Sequence, residues 1–492
     1  MVHSESDKGF IMMLDFQPKP PAPSMETNER WEHNALRVRM LRGQWQDDLE
    51  QELARHVSRE RRAAWGVSDM SSNVFKATSK SLSALYNEPP MIGIDANRES
   101  MEGFLGDDGL IYQSGLWAMM QSFQMFTIGC REMFMRVDIS DSNGLLFRPV
   151  TPDLIYCESS SGDPNQLRFL YELRLRHHPH SKEVIWTADV FDLRDMKNPK
   201  MKIVEMNNDG TLGEDFTKEY LGSEMDGENY PFRYSDDTPV IPYSMYHAEI
   251  TGKLFNSFEN AEVVYGSLTA AALYTYWLHL TRDTGFPQRY IAGLQLAGLN
   301  VRDTDTAAKR AAISTDPASI LVFTQDPDNV GQPMIGQFQP GGDPSTVLEA
   351  VIQYERKVAQ MAGINPGDIE RLSGDPRSGY AIAVSKESMR EAQARYKPSF
   401  ERGDQMTLSL ASMMANRFLG FDLPENGYKI RYARIGLSVE EKREQRNDIK
   451  EKLASNLIAP IDAMMELYPD LSEDEAAEKI REIQRQKALF LI

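Results

Sequence analysis

Residues 260–284 narrow what this chain can fold into more than any other stretch. Val263, Val264, Leu268, Ala271, Leu273, Trp277 and Leu280 place apolar side chains on more than one face of a single helix. At 1.5 Å per residue such a helix is about 37 Å long. A helix apolar on several sides needs neighbours on several sides, and other copies of the chain are one source of them. A second helix is predicted over 345–362, with Val347, Val351, Tyr354, Val358 and Met361 on one face, and Pro344 suits its start. Between the two helices lies a compact insert, 285–340. It holds strand-like Tyr290-Ile291-Ala292 and Ile320-Leu321-Val322-Phe323, with a short helix predicted over 306–313.

The 492 residues suggest roughly three structural units. Hydrophobic residues make up 41% of the chain, enough for real cores, which excludes wholesale disorder. Lys plus Arg total 54 against 73 Asp plus Glu, a formal charge of −19. That balance argues against a protein that grips DNA by neutralising phosphates. It suits one that lets a polymer slide, because like charges prevent sticking. The only cysteines, Cys130 and Cys157, exclude a disulfide scaffold and read as small buried hydrophobes. No apolar run reaches the roughly 20 residues needed to cross a bilayer. The longest, 270–280, contains His279, and residues 1–10 carry Glu5, Asp7 and Lys8 rather than a signal-peptide pattern. A reducing compartment and no membrane association are therefore expected.

Residues 1–30 read as an arm, made extended by the proline-rich 17–23 stretch. A helix is predicted from an Asn28 N-cap to Val57, with Leu36, Met40, Trp45, Leu49 and Leu53 on one face. Arg37, Arg39, Arg42, Arg55, Arg59, Arg61 and Arg62 lie on the other, beside Asp47, Asp48, Glu50 and Glu52 that would pair with them. Residues 70–130 are helical in pattern, broken at Pro89-Pro90 and around 103–109. From 131 to 250 the pattern turns to strands. Residues 134–138 and 145–150 flank Asn143-Gly144, a hairpin signal, and further strands are predicted over 167–175, 183–193 and 201–206. The acidic 214–237 stretch reads as a surface loop, and Pro239 to Tyr243 as a proline-containing strand. A very long helix over 380–418 carries Pro398, where a kink is expected because proline lacks the N–H and crowds the preceding turn. A strand over 428–435 follows, and the charged tail from 438 is helical, split at Pro460 and near Pro469.

Catalytic patterns are missing. Gly252-Lys253 lacks the upstream glycine and following hydroxyl of a phosphate loop, and neither a G-x-S-x-G elbow nor an H-E-x-x-H motif occurs. His177, His178 and His180 surround Pro179 and fit a solvated hairpin loop better than a metal site. Asp138, Asp141 and Asn143 miss the calcium-loop spacing. Met119-Met120 and Met413-Met414 read as core filler. No cofactor is expected.

From Pro239 onward the order of parts resembles the portal proteins of tailed bacteriophages. A proline-containing strand leads into a long helix. A small α/β insert and a shorter helix follow, then Gly363-Ile364-Asn365-Pro366, then Ser378-Gly379-Tyr380-Ala381, then a long helix with Pro398 near its middle and charged C-terminal helices. The specificity lies in order and lengths together. The resemblance implies a mixed α+β fold. Residues 1–30 would be a flexible arm, 31–258 a β-containing wing, 259–285 and 343–364 the two stem helices, and 286–342 the α/β clip. Residues 365–379 would be the tunnel loop, 380–437 the kinked wing helix and strand, and 438–492 the helical crown.

The implied function is a non-enzymatic homo-oligomeric ring, a dodecamer in the virion, forming the channel for double-stranded DNA packaging and ejection. Implied partners are the terminase large subunit, a head–tail adaptor, and the major capsid and scaffolding proteins. The implied location is the capsid portal vertex, reached from the host cytoplasm. In the tunnel loop Asp368, Glu370, Arg371, Ser373, Arg377 and Ser378 would face DNA, with both arginines equally able to pair with local carboxylates. Glu349, Glu355 and Lys357 are channel-wall candidates, and Tyr274, Trp277 and Leu280 subunit-interface candidates. Two alternatives stay open: another structural virion protein, such as a capsid or tail component, and a hydrolase built from scattered carboxylates.

Overall fold

The computed structural model describes residues 22–59, 62, 68–94, 98–140, 144–160, 162–221, 230–285, 288–292, 294–296, 323–325, 334–338, 343–364, 387–433, 435, 439–455, 457–468 and 473–490. Mixed helix and sheet run through the chain. The first elements are α1 (Met25–Arg42), α2 (Gln46–Ala54), α3 (Val74–Leu82), β1 (Met91–Gly93), α4 (Arg98–Leu105), α5 (Leu110–Gln113) and α6 (Leu116–Cys130). Next come β2 (Glu132–Ile139), β3 (Leu145–Val150), β4 (Ile155–Ser160), β5 (Asp163–His177), β6 (Val184–Asp192), β7 (Lys200–Met206), β8 (Leu212–Asp215), α7 (Thr217–Leu221) and β9 (Tyr243–His247). The remainder is α8 (Ala261–Gly285), β10 (Gln288–Ala292), β11 (Leu294–Leu296), β12 (Phe323–Gln325), β13 (Met334–Phe338), α9 (Pro344–Met361), α10 (Glu387–Leu419), β14 (Lys429–Arg431), α11 (Val439–Ala454), α12 (Pro460–Leu467) and α13 (Glu473–Phe490). Two compact units divide the chain. One comprises Met1–Asn34, Ser79–Ser257 and Gly363–Ile492, the other Ala35–Thr78 and Phe258–Ala362.

The larger unit holds two antiparallel sheets. One has the order β3-β2-β9, with Phe134 opposite Val150 and Glu132 opposite His247. The other is a five-stranded meander, β4-β5-β6-β7-β8. Its central strands are covered on both faces. Cys157, Leu170 and Phe191 join the main core with Phe134, Phe123 and the α10 residues Phe400, Leu410 and Met414. Phe169, Tyr171, Leu173, Ala188 and Val190 form a second cluster with Trp31. Because successive side chains alternate between faces, double coverage explains the nearly unbroken apolar runs in these strands. The hairpins predicted at 134–150 and 167–193 both form.

Several local expectations need correction. The single helix predicted from Asn28 is two helices. It starts earlier, where Ser24 Oγ accepts from Thr27 N at 3.1 Å, and α1 ends at Gly43, whose φ of +80° suits glycine alone. Arg37 is fully buried rather than solvated, and donates to the Glu259 carbonyl. The local acids do take other arginines, Arg39 with Asp48 at 2.7 Å and Arg55 with Glu52 at 2.6 Å. The 214–237 stretch is not simply a surface loop, since α7 lies within it and Tyr230 and Phe232 are buried in the main core. The strand expected over 239–243 begins only at Tyr243, and the 428–435 strand is confined to β14, which pairs with β1. The long helix forms as α10, with Pro398 in its interior as expected. The tail divides into α11, α12 and α13 at the expected prolines.

In the smaller unit α8 and α9 pack antiparallel. Gly266 sits against Val358, and eight residues further along α8 Tyr274 reaches Glu355. A Cβ on Gly266 would fall 2.8 Å from Val358 Cγ2, so glycine permits this approach. The described insert residues form two antiparallel ladders, β10 with β13 and β11 with β12. Of the strand expected over 320–323 only Phe323 lies among the described residues, where it opens β12, and the helix predicted over 306–313 lies outside them. Among the described residues no helix is long and apolar enough to cross a membrane.

Candidate functional site

α8 explains its own composition. Val263, Val264, Leu268, Ala270, Ala271 and Ala272 are buried within the unit, while Leu273, Tyr276, Trp277 and Leu280 remain half-buried and Tyr265 is 49% exposed. One apolar face of the helix is thus left incompletely covered. Of the interface candidates, Tyr274 and Trp277 meet edge-on at 6.0 Å, and Leu280 follows on the half-buried side. The Tyr274 hydroxyl donates to Glu355 at 3.5 Å, and Ser72 Oγ donates to the same carboxylate. Burial nevertheless raises the Glu355 pKa, outweighing these two hydrogen bonds. Glu355 is therefore tied into its own unit. Glu349 and Lys357, on the same helix, are exposed. Asp343 caps α9 by accepting from Ser345 N at 3.2 Å. Asp368, Glu370, Arg371, Ser373, Arg377 and Ser378 lie outside the described residues.

Two buried polar clusters in the larger unit escape a reading of sequence alone. The first lies between its two sheets. Arg136 of β2 reaches Asp189 at 2.9 Å, Glu172 at 3.3 Å and Asp138 at 2.6 Å. Arg148 of β3 grips Glu172 with both terminal nitrogens, at 2.5 and 2.7 Å. Arg176 donates to Asp189 at 2.6 Å and to Thr187 at 2.7 Å. Burial pushes both carboxyls up, but the arginines outweigh it and hold Glu172 and Asp189 below the usual carboxylate range. The alternation Glu172-x-Arg174-x-Arg176 places all three on one face of β5. That spacing was the available signal.

The second cluster centres on Asp404 of α10, which is 1% exposed. Three tyrosine hydroxyls from separate segments donate to it: Tyr86 at 2.9 Å, Tyr246 at 2.9 Å and Tyr432 at 2.7 Å. Burial wins over these donors and lifts the carboxyl to about 7.

A cleft of about 570 Å³ lies in the same unit, lined by residues including Leu167, Tyr234, Tyr243, Arg402, Met406 and Tyr428. Asp163 faces Arg402 there at 3.7 Å, and Asp404 is not among the lining residues. His177, His178 and His180 occupy the β5–β6 turn, where His178 N donates to the Glu183 carbonyl at 2.8 Å and the His178 ring packs edge-on to Phe216. Among the described residues no group of His, Cys, Asp and Glu is arranged to hold a metal. Cys130 and Cys157 are buried and not disulfide-bonded, and burial pushes Cys157 up to about 12.

The chain matches no protein-family profile and no curated protein. Its similarities are to solved structures of phage-like particles. A chain in the virion of a native gene transfer agent particle is 11% identical, with 81% of this chain and 90% of that one covered and a TM-score of 0.38. One from the neck of an empty gene transfer agent particle is 11% identical, with 80% and 88% covered and a TM-score of 0.40. A portal protein of the HK97 phage family from Corynebacterium diphtheriae is 9% identical, with 74% and 93% covered and a TM-score of 0.29.

Proposed function

We propose that this chain is a phage portal subunit. Copies of it would form a ring-shaped channel at one capsid vertex, through which double-stranded DNA is packaged and ejected. The ring would dock the terminase motor first and a head–tail adaptor later, among capsid and scaffolding proteins. The observation that carries the proposal is the smaller unit: a 25-residue helix, a stranded insert, and an antiparallel 18-residue helix returning alongside the first. An incompletely covered apolar face on α8 calls for neighbours, and neighbouring copies in a ring supply them. The net charge of −19 suits a channel wall along which DNA slides without sticking. Tyr274, Trp277 and Leu280 would pack between subunits, Glu349, Glu355 and Lys357 are the channel-wall candidates, and 365–379 would approach DNA. ATP hydrolysis would belong to the motor, and the ring itself would do no chemistry.

Negative-stain microscopy with mass determination tests this directly. The expected result is closed rings with a central hole and a mass near a dozen subunits. Trp277→Asp should abolish rings while leaving the strand region folded by circular dichroism. Normal rings in that variant would overturn the stem-interface assignment, and a chain that stays monomeric at all concentrations and beside its packaging motor would overturn the portal reading. Deleting 368–377 should spare rings and impair DNA packaging; unimpaired packaging would remove the tunnel-loop role.

A further inference from the structure

In the inter-sheet cluster four arginines meet three carboxylates within ion-pair distance. Arg136, Arg148, Arg174 and Arg176 surround three carboxylates, Asp138, Glu172 and Asp189. Three of the guanidinium groups are well used by hydrogen bonds or close ion contacts. Arg174 is different. Its Nε stands 3.4 Å from Glu172 Oε1, an oxygen that Arg148 already holds at 2.5 Å. Its Nη1 stands 3.5 Å from Asp189 Oδ2, which Arg136 holds at 2.9 Å. Neither contact has normal hydrogen-bond length. Sharing these two carboxylates keeps the Arg174 guanidinium close to three others of like charge. The side chain is 33% exposed, and its neighbours Arg148 and Arg176 are 28% and 18% exposed, so this edge of the cluster opens to solvent. Burial, together with the like charge of Arg148 and Arg136, depresses the Arg174 pKa against the pull of Glu172 and Asp189.

We propose that this edge is a binding site for a phosphate-class oxyanion, with Arg174 as the bidentate ligand and Arg148 and Arg176 as flanking positive charge. A guanidinium fork matches two oxygens of such an anion, which strengthens the contact beyond a point-charge attraction. The anion would relieve the repulsion among the arginines that the three carboxylates leave uncompensated. Since the site lies wholly in the sheets of the larger unit, it stands independently of the portal proposal. Its chemistry also differs from DNA gripping: one anion fits one fork, and a polyanion is not required.

The test uses the full chain, inorganic phosphate and chloride at matched ionic strength, read by calorimetric titration and by thermal unfolding. Wild type should bind phosphate saturably, with a midpoint of unfolding that rises with phosphate and not with chloride. Arg174→Gln should weaken that binding roughly tenfold or more, as expected for one charge-assisted bidentate contact. Its folding in chloride is checked by circular dichroism. Arg174→Lys keeps the charge and loses the fork, and should fall between the two. No saturable phosphate binding in wild type, equal binding in wild type and Arg174→Gln, or an equal response to chloride would each overturn the proposal. Full retention by Arg174→Lys would overturn the bidentate geometry.

Discussion

Glu172 and Asp189, with side chains each 2% exposed, and Asp404, 1% exposed, are equally removed from water within one unit, yet their acidities move in opposite directions. Glu172 and Asp189 are held low, and Asp404 rises to about 7. Burial acts the same way on all three. What differs is the formal charge of the partners: guanidinium groups between the sheets, neutral phenols around α10. Three phenol hydrogen bonds do not offset burial at Asp404, whereas three guanidinium groups around each of Glu172 and Asp189 do; Asp138, paired with Arg136 alone among the described residues, is still raised by burial. Each cluster joins distant segments, but only in the first do the most deeply buried carboxyls, Glu172 and Asp189, sit below the usual range.

Arg136→Met would break this contrast most severely, because it leaves two buried carboxylates with weaker compensation. A loss of roughly 5 kcal/mol in urea unfolding is expected, the upper end for breaking a buried pair. A loss under about 1 kcal/mol would mean that the remaining arginines suffice. Next comes the pH dependence of the wild type. For Asp404 the folded pKa lies above the unfolded value, so the native state binds the extra proton between about pH 4 and 7. Stability from this group is therefore greatest in acid and declines as pH rises through that window, by roughly 4 kcal/mol at most. Glu172 and Asp189 have the opposite sign: their contribution is present above the unfolded pKa and is lost as pH falls through their lowered folded values. Asp404→Asn should flatten the decline between pH 4 and 7 and leave the acid limb in place. An unchanged decline would place its source elsewhere. Tyr432→Phe removes one donor from the ionised form, so it should cost about 1 kcal/mol at neutral pH and move the Asp404 titration upward. An unmoved titration would show that this hydroxyl does not favour the ionised carboxylate.

How far each region was legible follows from the same physics. The β2–β3 hairpin could be read because Asn143-Gly144 sits between strand-like runs, and the three tail helices because Pro460 and Pro469 separate periodic segments. α8 and α9 were placed to within a residue or two by apolar spacing and by Pro344. The charge clusters were not visible in that way. Glu172, Arg174 and Arg176 alternate on a strand whose other face carries Tyr171 and Leu173, and the sequence alone does not say which face meets a second sheet. Asp404 is one acid in a polar-looking helix. Its three tyrosines lie hundreds of residues away or across a loop, beyond any local pattern. The break at Gly43 was missed because Trp45 and Leu49 continue the apolar spacing across it. The loop residues from Asp368 to Ser378 stay a reading of sequence.

The two cysteines have a practical corollary. Both thiols are sequestered, Cys130 at 0% and Cys157 at 2% exposure, and burial pushes the Cys157 pKa up to about 12. Alkylating reagents attack thiolates that they can reach. The natural chain should thus be silent to maleimide while folded, and one cysteine introduced at an exposed site such as Leu457, 74% exposed, would be its sole reactive handle. A dye or spin label could then be attached stoichiometrically without first removing either native sulfur.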